Sequence, residues 1–521
     1  MSWLHTWGSL WFSWVLFAIF FTGTLGVFDD AISHWMREPG RIPSLTVSAE
    51  ARQQAARTAQ AHLEKVAPDA VFWSIGLPHG EDPSLRLFWQ PLPEGPFERR
   101  RLDPASGADL PPDSRRDTEG GHHFVHLHFE FHAGRIGLWI AGAATLAMLV
   151  ALVSGIAVHK KFFADFFTFR PSRGQRSWLD AHNALGVLTL PFLFMIAYTG
   201  LTVFWAFYMP AAVSARYGDE QAYFSLLNDT PAPRLRQGLA APLGSLAERV
   251  ADAEGRLSRD AGFLTVANPG DVSAVLRVFG RFDGEAGAGR LVGRSSGRVE
   301  YDGVSGSLRD QQLPDTTRGG PVLAVQQTMN ALHFVRFGGN AMKWVYFLCG
   351  LAGAAMLAAG LQVFVVKRRK RAAGGVAGPD GLRWIEPLNV GAVAGLLLAS
   401  IAFFWANRLL PLDLPLRSGW EIRIFFLVWA GAALHALVHP RGAWRAQLGL
   451  TALLCLGLPL LNAATTGDHL LAALARGDGE SAAVELVAAA FGLAAGFVAL
   501  RLGRRPDTPA VPSTLAEEHA A

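Results

Sequence analysis

Cysteine is almost absent: the 521 residues hold two, Cys349 and Cys455, each inside an apolar run. That excludes a disulfide framework, a CxxC redox pair, a cysteine-based zinc or iron–sulfur site and the CxxCH attachment of a c-type haem. Charge is scarce as well, at 17% of residues, where an ordinary soluble domain carries about a quarter. The deficit is concentrated in long charge-free runs, and the mean hydropathy is +0.23, which is the signature of a membrane protein. No phosphate loop, nucleotide fingerprint or HExxH motif occurs, so no site for nicotinamide or flavin is expected. With a net charge of only +4, no nucleic-acid partner is expected. The first apolar run has no Lys or Arg before it and no small-residue cleavage site after it, and is expected to be a retained anchor.

What is present is a series of uncharged stretches long enough to cross a hydrocarbon core of ~30 Å. They fall at about 10–28, 136–158, 184–208, 344–366, 387–407, 424–440, 446–467 and 482–500, the last containing Glu485. Lys and Arg collect in the loops 159–181 and 367–386, between the sixth and seventh stretches (Arg441, Arg445) and after the eighth (Arg501, Arg504, Arg505). By the positive-inside rule these alternate with the other loops if both termini are cytoplasmic. Two long polar segments, about 38–130 and 212–332, then lie outside. Each reads as an Ala-rich helix (49–66, 240–258), alternating strand-like runs, and an Asp-x-x-Ser-Gly turn (Asp103–Gly107, Asp302–Gly306). A helix laid on a small antiparallel sheet buries the apolar faces of both, which predicts two related α+β modules.

Histidine position carries the chemical argument. His5, His159 and His182 flank the first three stretches on the basic side, while His126, His128, His132 and His333 lie on the other. His128 and His132 share a face if the helix continues through them. His132 and His159 are 27 residues apart, or about 40 Å of helix, so one helix would bring a ligand to each surface. Neutral imidazoles from two helices make a six-coordinate haem b centre that passes electrons. The plainer alternative is that each histidine snorkels or caps at the interface. His435, His439 and His469 lack matched partners and are taken as structural.

Four stretches then resemble the PepSY-associated transmembrane-helix proteins, iron-regulated membrane proteins that include siderophore-interacting haem reductases. They are Leu4–Trp7 with Thr22-Gly23 and Phe28–Asp30; His128–His132; Gly155–Pro171 continuing through Gly174–Asn183; and Leu332–Phe334 with Phe337–Gly339 and Tyr346. The resemblance covers about residues 1–370. It implies a mainly α, polytopic membrane protein with a four-helix haem-binding core and two small PepSY-like periplasmic modules. Four further C-terminal transmembrane helices lie outside the family pattern.

The resulting domains are 1–37 (first helix), 38–130 (module), 131–211 (helices two and three), 212–332 (second module), 333–371 (fourth helix), 372–505 (C-terminal helices) and 506–521 (tail). The family's motif histidines fall on His5, His128, His132, His159, His182 and His333. The expected axial ligands are His132 with His333 outside, and two of His5, His159 and His182 inside, for two b-type haems. The implied activity is reduction of a ferric siderophore or other ferric chelate at the inner membrane, from an electron donor that no motif names, with lipid as the surrounding partner. The competing classes are a non-enzymatic sensor or protease regulator and a metal or siderophore transporter.

Overall fold

The computed structural model describes residues 8–37, 47–79, 82–92, 95–110, 116–158, 174–219, 222–223, 234–281, 296–314, 316, 320–373, 382–440 and 442–503. Seven helices are long and apolar enough to cross a bilayer by themselves. They are Gly134–Ala157, Gln175–Val203, Gly339–Arg371, Trp384–Leu409, Arg417–Val438, Ala443–Thr466 and Gly479–Gly503. An eighth, at the N-terminal end, is a broken pair: Leu10–Gly26 meets Asp29–Met36 at 71°. We number the spans one to eight in chain order, counting the bent pair as the first. The chain is a multi-pass membrane protein.

Local chemistry explains the bend. Val27 and Phe28 close the first helix through backbone bonds to Gly23 and Leu25. Asp29 and Asp30 then open the next, where carboxylates complement a helix N-terminus. The short second helix buries Ile32, Trp35 and Met36. Span five carries a π-helical turn at Gly391–Gly395, where Trp429 Nε1 donates to the Gly391 carbonyl at 2.9 Å. Just before this turn, Trp14 Nε1 of span one donates to Asn389 Oδ1 at 2.7 Å.

The four C-terminal helices are therefore not an appendage. They share one apolar core with span one, in which Phe21 meets Phe491 edge-on and Trp35 packs on Phe404.

The polar segments do not fold as two separate modules. Their strands join in one seven-stranded antiparallel sheet, β3-β2-β1-β4-β5-β6-β7. β1 (Phe72–Gly76), β2 (Leu85–Gln90) and β3 (Glu98–Leu102) come from the first segment. β4 (Ala261–Ala267), β5 (Val275–Gly280), β6 (Arg298–Asp302) and β7 (Leu308–Gln312) come from the second. The junction is the β1–β4 pair, with Ser74 opposite Thr265 and Ile75 opposite Leu264. Helices Ala49–Val66 and Leu246–Leu257 cover one face and bury Trp73, Leu85, Leu264 and Val278. Each begins at a serine N-cap, with Ser48 Oγ accepting from Ala51 N and Ser245 Oγ from Glu248 N. A seven-stranded sheet shares one core where two separate modules would each expose an edge strand.

The Asp-x-x-Ser-Gly turns are alike. Asp103 Oδ1 accepts from Ser106 N at 2.7 Å, and Asp302 Oδ1 accepts from Ser305 N at 3.0 Å. Gly107 and Gly306 have φ of 71° and 68°, a left-handed conformation that glycine adopts without a steric penalty.

Candidate functional site: two imidazoles across a cavity

A cavity of about 300 Å³ lies among the first four spans at the end nearest the sheet. Gly23, His128, Gly200, His333, Tyr346 and Gly350 are among its walls. His128 comes from the helix His122–Phe129, and His333 is the last residue of the helix Gly320–His333. Their ring centroids are 6.1 Å apart. Two metal–imidazole bonds of ~2 Å each, together with the two ring radii, come to about the same distance.

The outer nitrogen of each ring is tied down. His128 Nδ1 lies 2.8 Å from the Ile19 carbonyl. A carbonyl only accepts, so Nδ1 carries the hydrogen and Nε2 keeps the lone pair. Thr199 Oγ1 spends its hydrogen on the Met195 carbonyl at 2.8 Å, so at 3.1 Å it accepts from His333 Nδ1. Orienting an imidazole through its second nitrogen is the usual support of a metal-binding histidine. Burial lowers the pKa of both rings, that of His333 to about 3, which keeps them neutral and able to donate a lone pair.

Glycine makes the approach possible. A Cβ at position 23 would stand 2.5 Å from His128 Nδ1, and one at position 200 would stand 3.0 Å from His333 Cε1. Tyr346 Oη donates to the Leu332 carbonyl at 2.8 Å, pinning the end of the His333 helix to span four.

His132 does not oppose His333, and the reason is in the backbone. The helix carrying His128 stops at Phe129, and Phe131 and His132 both take a left-handed φ of 52°. The helix is interrupted there before span two, so the expected shared face is lost. His132 Nε2 instead lies 3.0 Å from His123 Nδ1, and its ring meets Phe426 edge-on. His126 pairs with Glu130 at 2.6 Å.

His182 sits in the first turns of span three. Its Nδ1 is 2.9 Å from the Met356 carbonyl, and a Cβ at Gly360 would stand 3.1 Å from it. This repeats the backbone tie and facing glycine of the other pair at the opposite end of the core. His5 and His159 lie outside the described residues.

Sequence reading missed a buried polar cluster at the sheet end of the C-terminal helices. Arg417 and Glu421 are both fully buried and pair at 2.5 Å. Glu421 also accepts from Thr118 Oγ1 at 2.5 Å and from Asn407 Nδ2 at 2.8 Å. Arg408 donates to the Trp35 and Met36 carbonyls at 2.5 and 3.3 Å. The ends of otherwise apolar spans hid these charges; the signal available was Glu485 inside span eight.

The fold and the site define a class: a multi-pass helical membrane protein with an α/β domain on one side and two inward-facing imidazoles in its core. The family model for the PepSY-associated TM region matches residues 2–367, and the chain belongs to that family. It is also similar to "Uncharacterized protein PA4219" of Pseudomonas aeruginosa, 25% identical over 350 residues, covering 64% of this chain and 84% of that protein.

Proposed function

We propose that this protein is an inner-membrane b-type haem protein that carries electrons across the bilayer to reduce ferric iron, held by a siderophore or other chelate, in the periplasm. The facing pair His128–His333, with both Nδ1 atoms tied and both rings backed by glycine, carries this reading. Among the described residues no group of three or more His, Cys, Asp or Glu is placed to hold a bare metal ion. Two imidazoles suit an iron whose other four donors are a porphyrin's. The basic loops 159–181 and 367–386 support a cytoplasmic side opposite the sheet, with both termini on it.

His128 and His333 would hold one haem, and His182 with His5 or His159 a second. When bound, such a group would supply one-electron transfer. The residues of this chain do the rest. Ile19 and Thr199 fix the tautomers, and Gly23 and Gly200 leave room beside the rings. Ferrous iron is a poorer match than ferric for hard chelate oxygens, so reduction releases it for uptake.

The test is the dithionite-reduced minus oxidised absorption spectrum of the full-length protein. Reducible b-type bands are expected, diminished in both His128→Ala and His333→Ala. A colourless protein, which the sensor and transporter readings expect, or bands unchanged in both variants, would end this proposal.

A further inference from the structure

A second cavity, of about 110 Å³, lies between span one and the C-terminal helices. Its walls are almost wholly hydrocarbon and aromatic, with Phe28, Phe347, Phe404 and Phe491 among them. Trp344, also in the wall, is 38% exposed, so one side of the cavity is bounded by a surface residue. Span one separates it from the imidazole cavity: Phe21, Leu25 and Phe28 face one, Gly23, Thr24 and Val27 the other. An α-helix with its side chains is ~10–12 Å across, so the two cavities are one helix apart.

Ser400 and Thr451 bring hydroxyls to the wall, alongside the Cys455 thiol and the Trp344 indole. Each hydroxyl gives its hydrogen to the carbonyl four residues back, at 2.9 and 2.8 Å. What these two hydroxyls still offer a ligand is acceptor capacity, which suits a bound O–H. Beside the wall is a buried carboxylate, Glu485, whose neighbours Val484 and Val487 line the cavity. Its Oε1 accepts from Trp35 Nε1 at 3.2 Å and Asn462 Nδ2 at 2.8 Å. Its Oε2 has no partner among the described residues, although Glu485 is only 2% exposed. Arg408 donates to Asn462 Oδ1 at 2.7 Å and lies 3.8 Å over the Trp35 ring, giving that carboxylate a nearby cation.

We propose that this cavity binds a lipid-soluble quinol, its hydrocarbon tail along the aromatic wall and its hydroxyls toward Ser400 and Thr451. The binding claim stands by itself; the quinol's role as electron donor rests on the function proposed above. In that role both O–H bonds break and the quinol becomes quinone. Two electrons leave singly and reduce two ferric ions to ferrous. Two protons leave the site for bulk water, with the Glu485 carboxylate as the first acceptor.

The test uses the full-length protein in phosphatidylcholine nanodiscs with a short-chain ubiquinol. Equilibrium dialysis should show saturable binding of one molecule per chain above empty nanodiscs. Ala488→Phe, which fills the cavity, should weaken it by at least ~tenfold. Thr451→Val, a milder change that keeps shape, should weaken it by a few fold while leaving thermal unfolding unchanged. Glu485→Gln should bind quinol but oxidise it at least ~tenfold more slowly, while dithionite still reduces the protein fully. Binding no greater than in empty nanodiscs, binding indifferent to both cavity variants, or a phospholipid chain as sole occupant by native mass spectrometry would overturn the proposal. Saturable quinol binding by a colourless protein would overturn the haem reading and leave this site standing.

Discussion

Two imidazoles meet because of what stands behind them, and each support makes its own prediction. Gly23→Ala puts a methyl group 2.5 Å from His128 Nδ1, so the ring must move. The variant should insert and fold yet lose reducible absorbance, as His128→Ala does. Thr199→Val removes the acceptor on His333 Nδ1; loss of such a support typically costs ~10–100-fold in metal affinity. The chromophore should then pass to an apo-globin faster than from the parent protein, with its oxidised spectrum little changed. His132→Ala should keep its bands, because that ring faces His123. The sequence showed which histidines sit at span ends. The choice between His128 and His132 turns on two φ angles at Phe131 and His132, residues without the glycine that advertises a left-handed turn.

Elements were legible in proportion to their length. The apolar runs announced the spans, but the 71° break between Gly26 and Asp29 was not read from them. The merging of the two outer segments was not legible, because β1 and β4 read like strands of any small sheet and nothing local says that Ile75 will face Leu264. Within that sheet domain Asp271 anchors a connection. It accepts from Gln237 N, Gly238 N, Ser273 N and Ser273 Oγ, and these bonds hold its carboxyl well below the ordinary aspartate range. A lowered folded-state pKa gives stability that is complete above the unfolded value of ~4 and is lost as pH falls toward the folded one. Hydrogen exchange at residues 237–240 should therefore quicken as pH drops below ~4, after correction for the intrinsic rate. Asp271→Asn should quicken it at neutral pH. Protection unaffected by the substitution would refute this role.

At the scale of the whole molecule, the C-terminal helices hold the joints between sheet and membrane core. Arg116 donates to the Asn407 carbonyl at 2.9 Å, Arg417 to the Asp117 carbonyl at 3.0 Å, and Ser418 Oγ to Asp117 at 2.9 Å. Removing one member of a buried ion pair costs ~3–5 kcal/mol because the other charge is stranded. Glu421→Ala should thus lower the detergent-phase unfolding temperature and expose residues 116–118 to protease, while Arg417→Met with Glu421→Leu should recover much of the loss. Sequence reading set these helices apart because the family resemblance covers only about residues 1–370. Their attachment depends on charges placed at span ends, which hydropathy averages away.

The continuous sheet has a consequence for biogenesis. β1 finds its second neighbour in β4, nearly two hundred residues downstream. Between their syntheses the ribosome delivers two hydrophobic helices to the insertion machinery. Under the topology proposed above, the first three strands wait after export with an open edge, the kind of edge that recruits foreign strands. Truncation after the third span should leave a chain that inserts yet is held by export chaperones, and supplying residues 234–316 as a separate exported fragment should release it.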